Sequence, residues 1–303
     1  MDYLTQLETT AQQVGCKVLR DEPMCRHTTF RIGGPADLFL IVPDEKALSV
    51  VLRESKRLEI PVFPLGNGSN LLISDKGIRG VVVTLGEKFS QTDAEGEILS
   101  CGAAAALSAV STAAANHSLT GAEFLCGIPG SVGGAALMNA GAYGGEIGKI
   151  LIQCRHMNLD GTVGTLSAEE IHFGYRHTVY MENGAIILGV KLKLSPGNQE
   201  EIRTSIHQLL QQRREKQPLE YPSAGSVFKR PVGHFAGALI EQCGLKGTRI
   251  GGAEVSPKHA GFIVNMGGAT CSDVLALISL IQETVLRETG VALECEVKRM
   301  GET

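Results

Sequence analysis

The sequence predicts an α+β protein of more than one domain, on three observations. Its 303 residues exceed one ordinary domain and suffice for two or three cores. Helical and strand patterns are intermixed, with tight turns joining neighbouring strands in the middle third. Composition shifts toward Gly and Ala near Gly96, and Ser195-Pro196-Gly197-Asn198 punctuates the chain again. The expected division is residues 1–95, 96–197 and 198–303.

Residues 1–16 carry helical spacing, and Ala36 to Val42 reads as a strand ending at Pro43. Asp44 is placed to cap a helix running to about Leu58, since its carboxylate can accept the first free amides. Short β-rich runs follow at Val62-Phe63, Leu71–Ile73 and Val81–Leu85, completing a first lobe. Ser108 to His117 predicts a helix, and Ser131 to Met138 a short one after a Pro-Gly turn. Strands at Ile150–Leu159, Thr162–Leu166 and Ile186–Leu194 are expected to be antiparallel, because Asp160-Gly161 is a hairpin turn. A polar helix over Gln199–Glu215 leads to a loop around Ser226. A helix near Phe235–Cys243, a strand at Phe262–Asn265, a helix over Ser272–Glu288 and a strand at Ala292–Lys298 complete the chain.

With 43% apolar and 20% charged residues and a net charge of −4, the composition is that of a soluble globular protein. Lys and Arg are scattered, which argues against bulk nucleic-acid binding. The eight cysteines include no CxxC pair and no metal-ligand spacing. They are expected to be reduced, mostly buried hydrophobes in a cytoplasmic protein. The opening Met-Asp-Tyr-Leu is acidic where a signal peptide is basic, and the longest uncharged stretch, Ile98 to Ala122, is broken by polar residues and glycine. Neither a secretory signal nor a membrane span is expected, and no metal site or obligatory protein partner is apparent.

Three segments concentrate chemistry. Leu65-Gly66-Asn67-Gly68-Ser69-Asn70-Leu71 begins like a dinucleotide fingerprint but has Leu71 at the third glycine and a β-like continuation, so a Rossmann site is excluded on context. Its amides can still form a nest for pyrophosphate oxygens, although a plain turn uses the same residues. Gly127-Ile128-Pro129-Gly130-Ser131-Val132-Gly133-Gly134, with Asn139 and Tyr143 beyond it, holds more glycine than a turn requires. A flat ring could lie against such a backbone, and so could a neighbouring helix. Tyr221-Pro222-Ser223-Ala224-Gly225-Ser226-Val227-Phe228-Lys229-Arg230 places a serine among small residues and two cations after it, a setting for a proton donor beside an anionic substrate.

These segments, with Met138-Asn139-Ala140-Gly141-Ala142-Tyr143-Gly144, Gly174-Tyr175-Arg176 and Leu293-Glu294-Cys295-Glu296-Val297, together resemble the UDP-N-acetylenolpyruvoylglucosamine reductases. The motifs run in the family's order from about His27 to Gly301. The resemblance implies a two-lobed FAD-binding domain of the vanillyl-alcohol oxidase and p-cresol methylhydroxylase type, followed by an α+β substrate domain. It implies FAD bound without a covalent link, with His27 and Cys126 structural. Leu65, Gly66, Asn67, Gly68, Ser69, Asn70 and Leu71 would lie near the pyrophosphate. Gly127, Ile128, Pro129, Gly130, Ser131, Gly133, Gly134 and Asn139 would lie near the flavin.

The implied reaction takes a hydride from NADPH through FAD to the enolpyruvyl ether of UDP-N-acetylglucosamine enolpyruvate, for peptidoglycan synthesis. Negative charge then develops beside the substrate carboxylate and requires a cation, a hydrogen-bond donor and a proton. By alignment, Ser226 is the proton donor, Arg176 the cation and Glu296 the catalytic carboxylate. Arg213 aligns with a flavin- or diphosphate-binding cation. Tyr175, Lys216, Lys229, Arg230 and Lys258 are the substrate-binding candidates, since a diphosphate and a carboxylate call for cations. Arg230-Pro231 stands where some relatives have Asn-Pro, and no tyrosine-bearing insertion follows Arg176, as in the shorter subclass of the family. Tyr175, Tyr180 and Tyr221 are then the aromatic-hydroxyl candidates over the uridine. An FAD oxidase on the same scaffold and a flavin- or nucleotide-sugar-binding regulator are the competing readings, and Arg176, Ser226 and Glu296 together weigh against both.

Overall fold

The computed structural model describes residues 2–302, which divide into two compact units. One comprises residues up to Arg20, Leu38–Asn67 and Gly80–Arg213; the other comprises Asp21–Asp37, Gly68–Arg79 and Arg214 onward.

The first unit has two cores. In one, the helix Glu45–Arg57 packs Ala47, Leu48, Val51 and Leu52 against Leu38, Leu40, Val81 and Val83. The i, i+3, i+4 spacing of those four residues makes one apolar stripe. Asp44 caps the helix as expected, accepting from the Ala47 amide at 3.1 Å. The associated sheet takes its strands in the order Lys17–Pro23, Pro35–Val42, Ile78–Leu85, Val62–Leu65. The last two run parallel, and the first three carry the chain across the division between the units.

The other core lies under a five-stranded sheet in the order Val163–Ser167, Leu151–Met157, Ile186–Lys193, Ile98–Gly102, Thr92–Glu95. Every neighbouring pair is antiparallel. The Asp160-Gly161 turn closes its hairpin as the sequence predicts: Gly161 takes φ +80° and the Asp160 carboxylate accepts from the Thr162 amide at 2.9 Å. Leu99, Cys101, Val190 and Leu192 share this core with Leu107, Val110 and Ala114 of the helix Leu107–Asn116. Val132, Ala135 and Ala136 of the helix Val132–Leu137 complete it.

The second unit is built on a core of Phe30, Ile32, Leu72, Val227, Ile240, Ile263, Val274, Leu277 and Ile281. Its antiparallel sheet runs Ser223–Ser226, Phe262–Asn265, Ala253–Val255, Arg249–Ile250. The helix Cys271–Thr289 starts at a capping box between Thr270 and Asp273 and stops at Gly290, φ +72°, the left-handed stop that glycine takes without strain. Asp75 adds a cap from a distant segment, accepting from the amides of Cys271 and Ser272.

Two expected strands are placed differently. Leu71–Ile73 does not join the first lobe's sheet; it pairs in parallel with Lys298–Met300. The ladder expected over Ala292–Lys298 is confined to Lys298–Met300, preceded by an isolated bridge between Phe228 and Cys295. Three residues suffice to pair a strand, and the alternation of Glu294 and Glu296 carries no information about which partner is reached. All eight cysteines are free. Burial pushes the Cys101 thiol up to about 12 and the Cys154 thiol up to about 11, which keeps them unreactive. No helix among the described residues is long and apolar enough to cross a membrane.

Each unit holds a histidine whose burial favours the neutral form. His156 is 6% exposed, with Nδ1 3.0 Å from the buried Tyr180 hydroxyl. His259 accepts the Gly261 amide on Nδ1 at 3.1 Å. Desolvation holds both below their ordinary value of 6.5. The unfolded chain therefore binds more protons just below pH 6.5, and stability falls as pH drops from there through the folded values. The thermal unfolding midpoint, followed by circular dichroism, is expected to decline from pH 7 to pH 5, and His156→Asn to flatten that decline. A midpoint constant over this range would contradict the assignment.

Candidate active site

In the first unit the two glycine-rich segments meet. Gly66 lies against the Ser131 hydroxyl so closely that a Cβ would overlap its oxygen. Ser131 also caps Val132–Leu137, accepting from the Gly134 amide at 3.4 Å. The Val132 and Gly133 amides are taken by the carbonyls of Ala105 (2.9 Å) and Ala103 (2.8 Å). With the Ile128 amide on the Leu125 carbonyl at 3.1 Å, four amides of the glycine run are used internally. Those of Gly130 and Ser131 have no acceptor among the described residues and are the ones open to a ligand.

Arg213 projects from the helix Gln199–Lys216 across Gly127, where a Cβ would stand 2.9 Å from its Cδ. Gly127 is needed for this arginine stem, a use beyond the approach to a flat ring. Burial holds the Arg213 guanidinium below its ordinary value, against a smaller opposing effect of Tyr143. No carboxylate pairs with it among the described residues. A desolvated cation without a carboxylate calls for an anionic or carbonyl group. Cys126 is partly buried and burial raises its thiol, in keeping with a structural role.

Arg176 stands at the third position of a turn in which the Gly174 amide donates to the His177 carbonyl (2.9 Å) and the His177 amide to that of Gly174 (3.3 Å). Its φ is +55°. Nη1 donates to the Asn139 carbonyl at 3.3 Å and Nη2 to the Gly141 carbonyl at 3.4 Å. The exposed Tyr175 ring lies 5.3 Å from the guanidinium carbon, within cation–π reach. Asn139 departs from the expected cofactor contact: its side chain is buried and bonded to backbone groups at both ends. Tyr180 departs too, since it is fully buried and engaged with His156 and cannot cover a uridine. Tyr221 remains exposed.

The second unit places Ser226 by a β-bulge. Ser223 pairs with Val264 and Ser226 with Phe262, three steps against two. The extra residue reverses the alternation: Ala224 and Val227 are buried while Ser226 is exposed. Gly225, at φ +77°, supplies the left-handed residue of the bulge. The Val227 carbonyl then accepts from the Glu296 amide at 2.7 Å, and the Lys229 amide donates to the Glu294 carbonyl at 2.8 Å. Ser226 and Glu296 therefore sit on adjacent extended segments. The Asn70 side-chain amide donates to the Glu296 carbonyl at 3.2 Å, and the Lys298 backbone amide donates to the Asn70 carbonyl at 3.0 Å. This ties the end of the Gly68-Ser69-Asn70 turn to the Glu296 segment. Gly68, at φ +60°, packs on the backbone of His27 and Thr28, where a Cβ would clash. The Gly68 and Ser69 amides have no acceptor among the described residues.

The cations of the second unit differ in circumstance. Lys229 is ion-paired with Glu294, Lys258 donates to the Arg214 carbonyl at 2.6 Å, and Arg230 stacks 3.9 Å over the exposed Phe235 ring. Lys216 is exposed at the last position of its helix. Sequence reasoning missed Gly225 and Glu294. The adjacent Gly-Ser pair was a visible signal for the first, but a bulge exists only against a partner's register. Nothing local marks Glu294 as the partner of Lys229.

Comparison with known proteins places residues 36–167 in the FAD binding domain family. Residues 217–300 match the C-terminal domain of UDP-N-acetylenolpyruvoylglucosamine reductase. The chain is 50% identical to the reductase of that name from Agathobacter rectalis over 297 residues, covering 94% of each chain. It is 48% identical to that of Lactococcus lactis over 93% of this chain and 94% of the relative. The crystal structure of the Thermus caldophilus reductase superposes with a TM-score of 0.83 at 37% identity, over 94% of this chain and 99% of that one.

Gly225→Ala is expected to separate conformation from packing. No atom lies within 4 Å of where its Cβ would stand, so the cost is backbone strain alone, about 1–2 kcal/mol. The unfolding midpoint should fall by a few degrees, while turnover drops by up to ~10²-fold as Ser226 swings from its place. Unchanged turnover would remove the bulge from the mechanism.

Proposed function

The chain belongs to the UDP-N-acetylenolpyruvoylglucosamine reductase family, and from that membership we propose that it reduces the enolpyruvyl ether of UDP-N-acetylglucosamine enolpyruvate to UDP-N-acetylmuramate for peptidoglycan synthesis. It is an FAD-dependent oxidoreductase. NADPH is the proposed reductant and the cytoplasm the proposed location. Residues 1–95 and 96–197 are the proposed FAD lobes and 198–303 the proposed substrate domain.

The residues present fit FAD. The backbone amides of Gly68 and Ser69 suit phosphate oxygens, those of Gly130 and Ser131 suit ring heteroatoms, and Arg213 is a partly buried cation with no carboxylate partner among the described residues. Leu65, Gly66, Asn67, Asn70 and Leu71 complete the pyrophosphate turn, and Gly127, Ile128, Pro129, Gly133 and Gly134 the flavin-side loop. FAD held by these residues would supply the hydride for the substrate's methylene carbon, with NADPH as the proposed source and N5 as the proposed donor atom.

The chain's own residues manage the charge and the proton. Arg176 binds the substrate carboxylate and stabilises the electron pair that moves onto the neighbouring carbon. The Ser226 hydroxyl gives its proton to that carbon. Glu296, on the adjacent segment, polarises the enol and supports the relay that restores the serine proton. Lys216, Lys229, Arg230 and Lys258 are proposed around the diphosphate, with Tyr175 and Tyr221 beside the substrate. For Lys229 this requires exchange of Glu294 for phosphate oxygens, a small loss because exposed ion pairs contribute only about 0–1 kcal/mol.

The observation that carries the reading is the bulge that exposes Ser226 directly beside the residue bonded to Glu296. Flavin absorbance, followed anaerobically, should bleach with NADPH and recover with the enolpyruvyl substrate. Ser226→Ala should slow recovery by ~10²–10⁴-fold and leave bleaching nearly intact. Equal loss in both halves would sink the serine's role, and bleaching without recovery in the unmodified protein would sink the substrate.

A further inference from the structure

The turn that presents Arg176 is poorly matched to an arginine. A φ of +55° at the third residue of a four-residue turn favours glycine or asparagine. Something outside the turn must hold it, and the surrounding structure points to Asn139.

The Asn139 side chain is 4% exposed. Its Nδ2 donates to the Gly174 carbonyl at 2.9 Å, the same carbonyl that closes the turn by accepting from His177. Its Oδ1 accepts from the Gly148 amide at 3.0 Å. One amide therefore fastens the base of the Arg176 turn to the loop that follows Val132–Leu137. Gly148 leaves little freedom in this junction, since a Cβ there would stand 2.9 Å from Oδ1 and 2.7 Å from the Phe173 ring. The Asn139 backbone acts on the same arginine, because its carbonyl accepts from Nη1 while that of Gly141 accepts from Nη2. Asn139 itself has φ +46°, a conformation asparagine tolerates better than most residues. Side chain and carbonyl of one residue thus hold both ends of Arg176, the turn that carries it and the guanidinium it delivers. Both carbonyl acceptors are neutral, so they orient the guanidinium without cancelling its charge.

We propose that Asn139 is a positioning residue that sets the Arg176 guanidinium for the substrate carboxylate. This rests on the reading of Arg176 given above. With both ends of its side chain bonded to backbone groups, Asn139 acts through Arg176.

The test uses the holoenzyme with Asn139→Gly, which accepts the positive φ and removes both side-chain bonds, and with Asn139→Asp, which keeps the Gly148 bond and loses donation to Gly174. Calorimetric binding of the enolpyruvyl substrate should weaken by ~10-fold in both variants, the scale of one charge-assisted hydrogen bond. Binding of UDP-N-acetylglucosamine, which lacks the carboxylate, should change less than about twofold. Flavin recovery should slow by ~10²-fold with FAD content and bleaching by NADPH preserved. In an Arg176→Lys background, Asn139→Gly should add less than about twofold, because residues acting as a unit are not additive. Equal weakening of both ligands, unaltered substrate binding, or a full additional loss in the Arg176→Lys background would overturn the proposal. If the unmodified enzyme neither binds nor is reoxidised by the enolpyruvyl substrate, the family reading fails for this chain; if it does both and the variants match it, only the role of Asn139 falls.

Discussion

The carbonyl of Val227 accepts the amide of Glu296 at 2.7 Å and that of Val297 at 3.3 Å, and the placement of the Ser226 and Glu296 segments in the second unit depends on that junction. Val227 is fully buried and its amide donates to the Gly261 carbonyl at 2.9 Å, so one residue is fixed in core, sheet and bridge together. Ser226 precedes it and inherits its position. Backbone groups form the junction, so its hydrogen bonds use no side-chain atom of Val227, Glu296 or Val297. The backbone amide of Lys298 on the Asn70 carbonyl, with the Asn70 side-chain amide on the Glu296 carbonyl, ties the turn proposed for pyrophosphate to the same segment.

Two of the three catalytic candidates are placed by left-handed backbone, by different means. At Ser226 the unusual conformation is handed to the preceding glycine, Gly225, which takes it at no steric cost. At Arg176 the functional residue itself takes φ +55°, and Asn139 and Tyr143 nearby take +46° and +52°. With His172 at +53° just before the turn, four non-glycine residues in that region form a reservoir of strain of the kind found at functional sites. It is balanced here by hydrogen bonds from Asn139 and from the arginine. A glycine in place of Arg176 would relax the turn and remove the cation, so the sequence retains the strained residue.

The cations show how much neighbours change what a basic residue offers. Arg213 is partly buried against Gly127 and has no carboxylate partner among the described residues, the more demanding state. Lys229 is shielded by Glu294, Lys258 is drawn to the backbone of Arg214, and Arg230 lies on Phe235. In the proposed function Lys229 and Lys258 exchange these partners for phosphate oxygens.

Much of this was legible in the sequence. A capping residue located the helix Glu45–Arg57, and local pattern located Gln199–Lys216 and Cys271–Thr289, because those signals act within a few turns of the chain. The Asp160-Gly161 turn predicted the antiparallel hairpin for the same local reason. The ordered motifs identified Arg176, Ser226 and Glu296 as candidates and indicated the family. What the tertiary structure alone decided is pairing between segments far apart in the chain. Leu71–Ile73 meets Lys298–Met300, Gly127 yields to Arg213, and a register step of one residue turns Ser226 outward. It also separated Tyr180, whose hydroxyl is spent on His156, from Tyr175 and Tyr221, and turned the Asn139 amide inward. Each outcome depends on which distant group fills the space beside a residue, and a linear pattern fixes a residue's own preferences without fixing its neighbours.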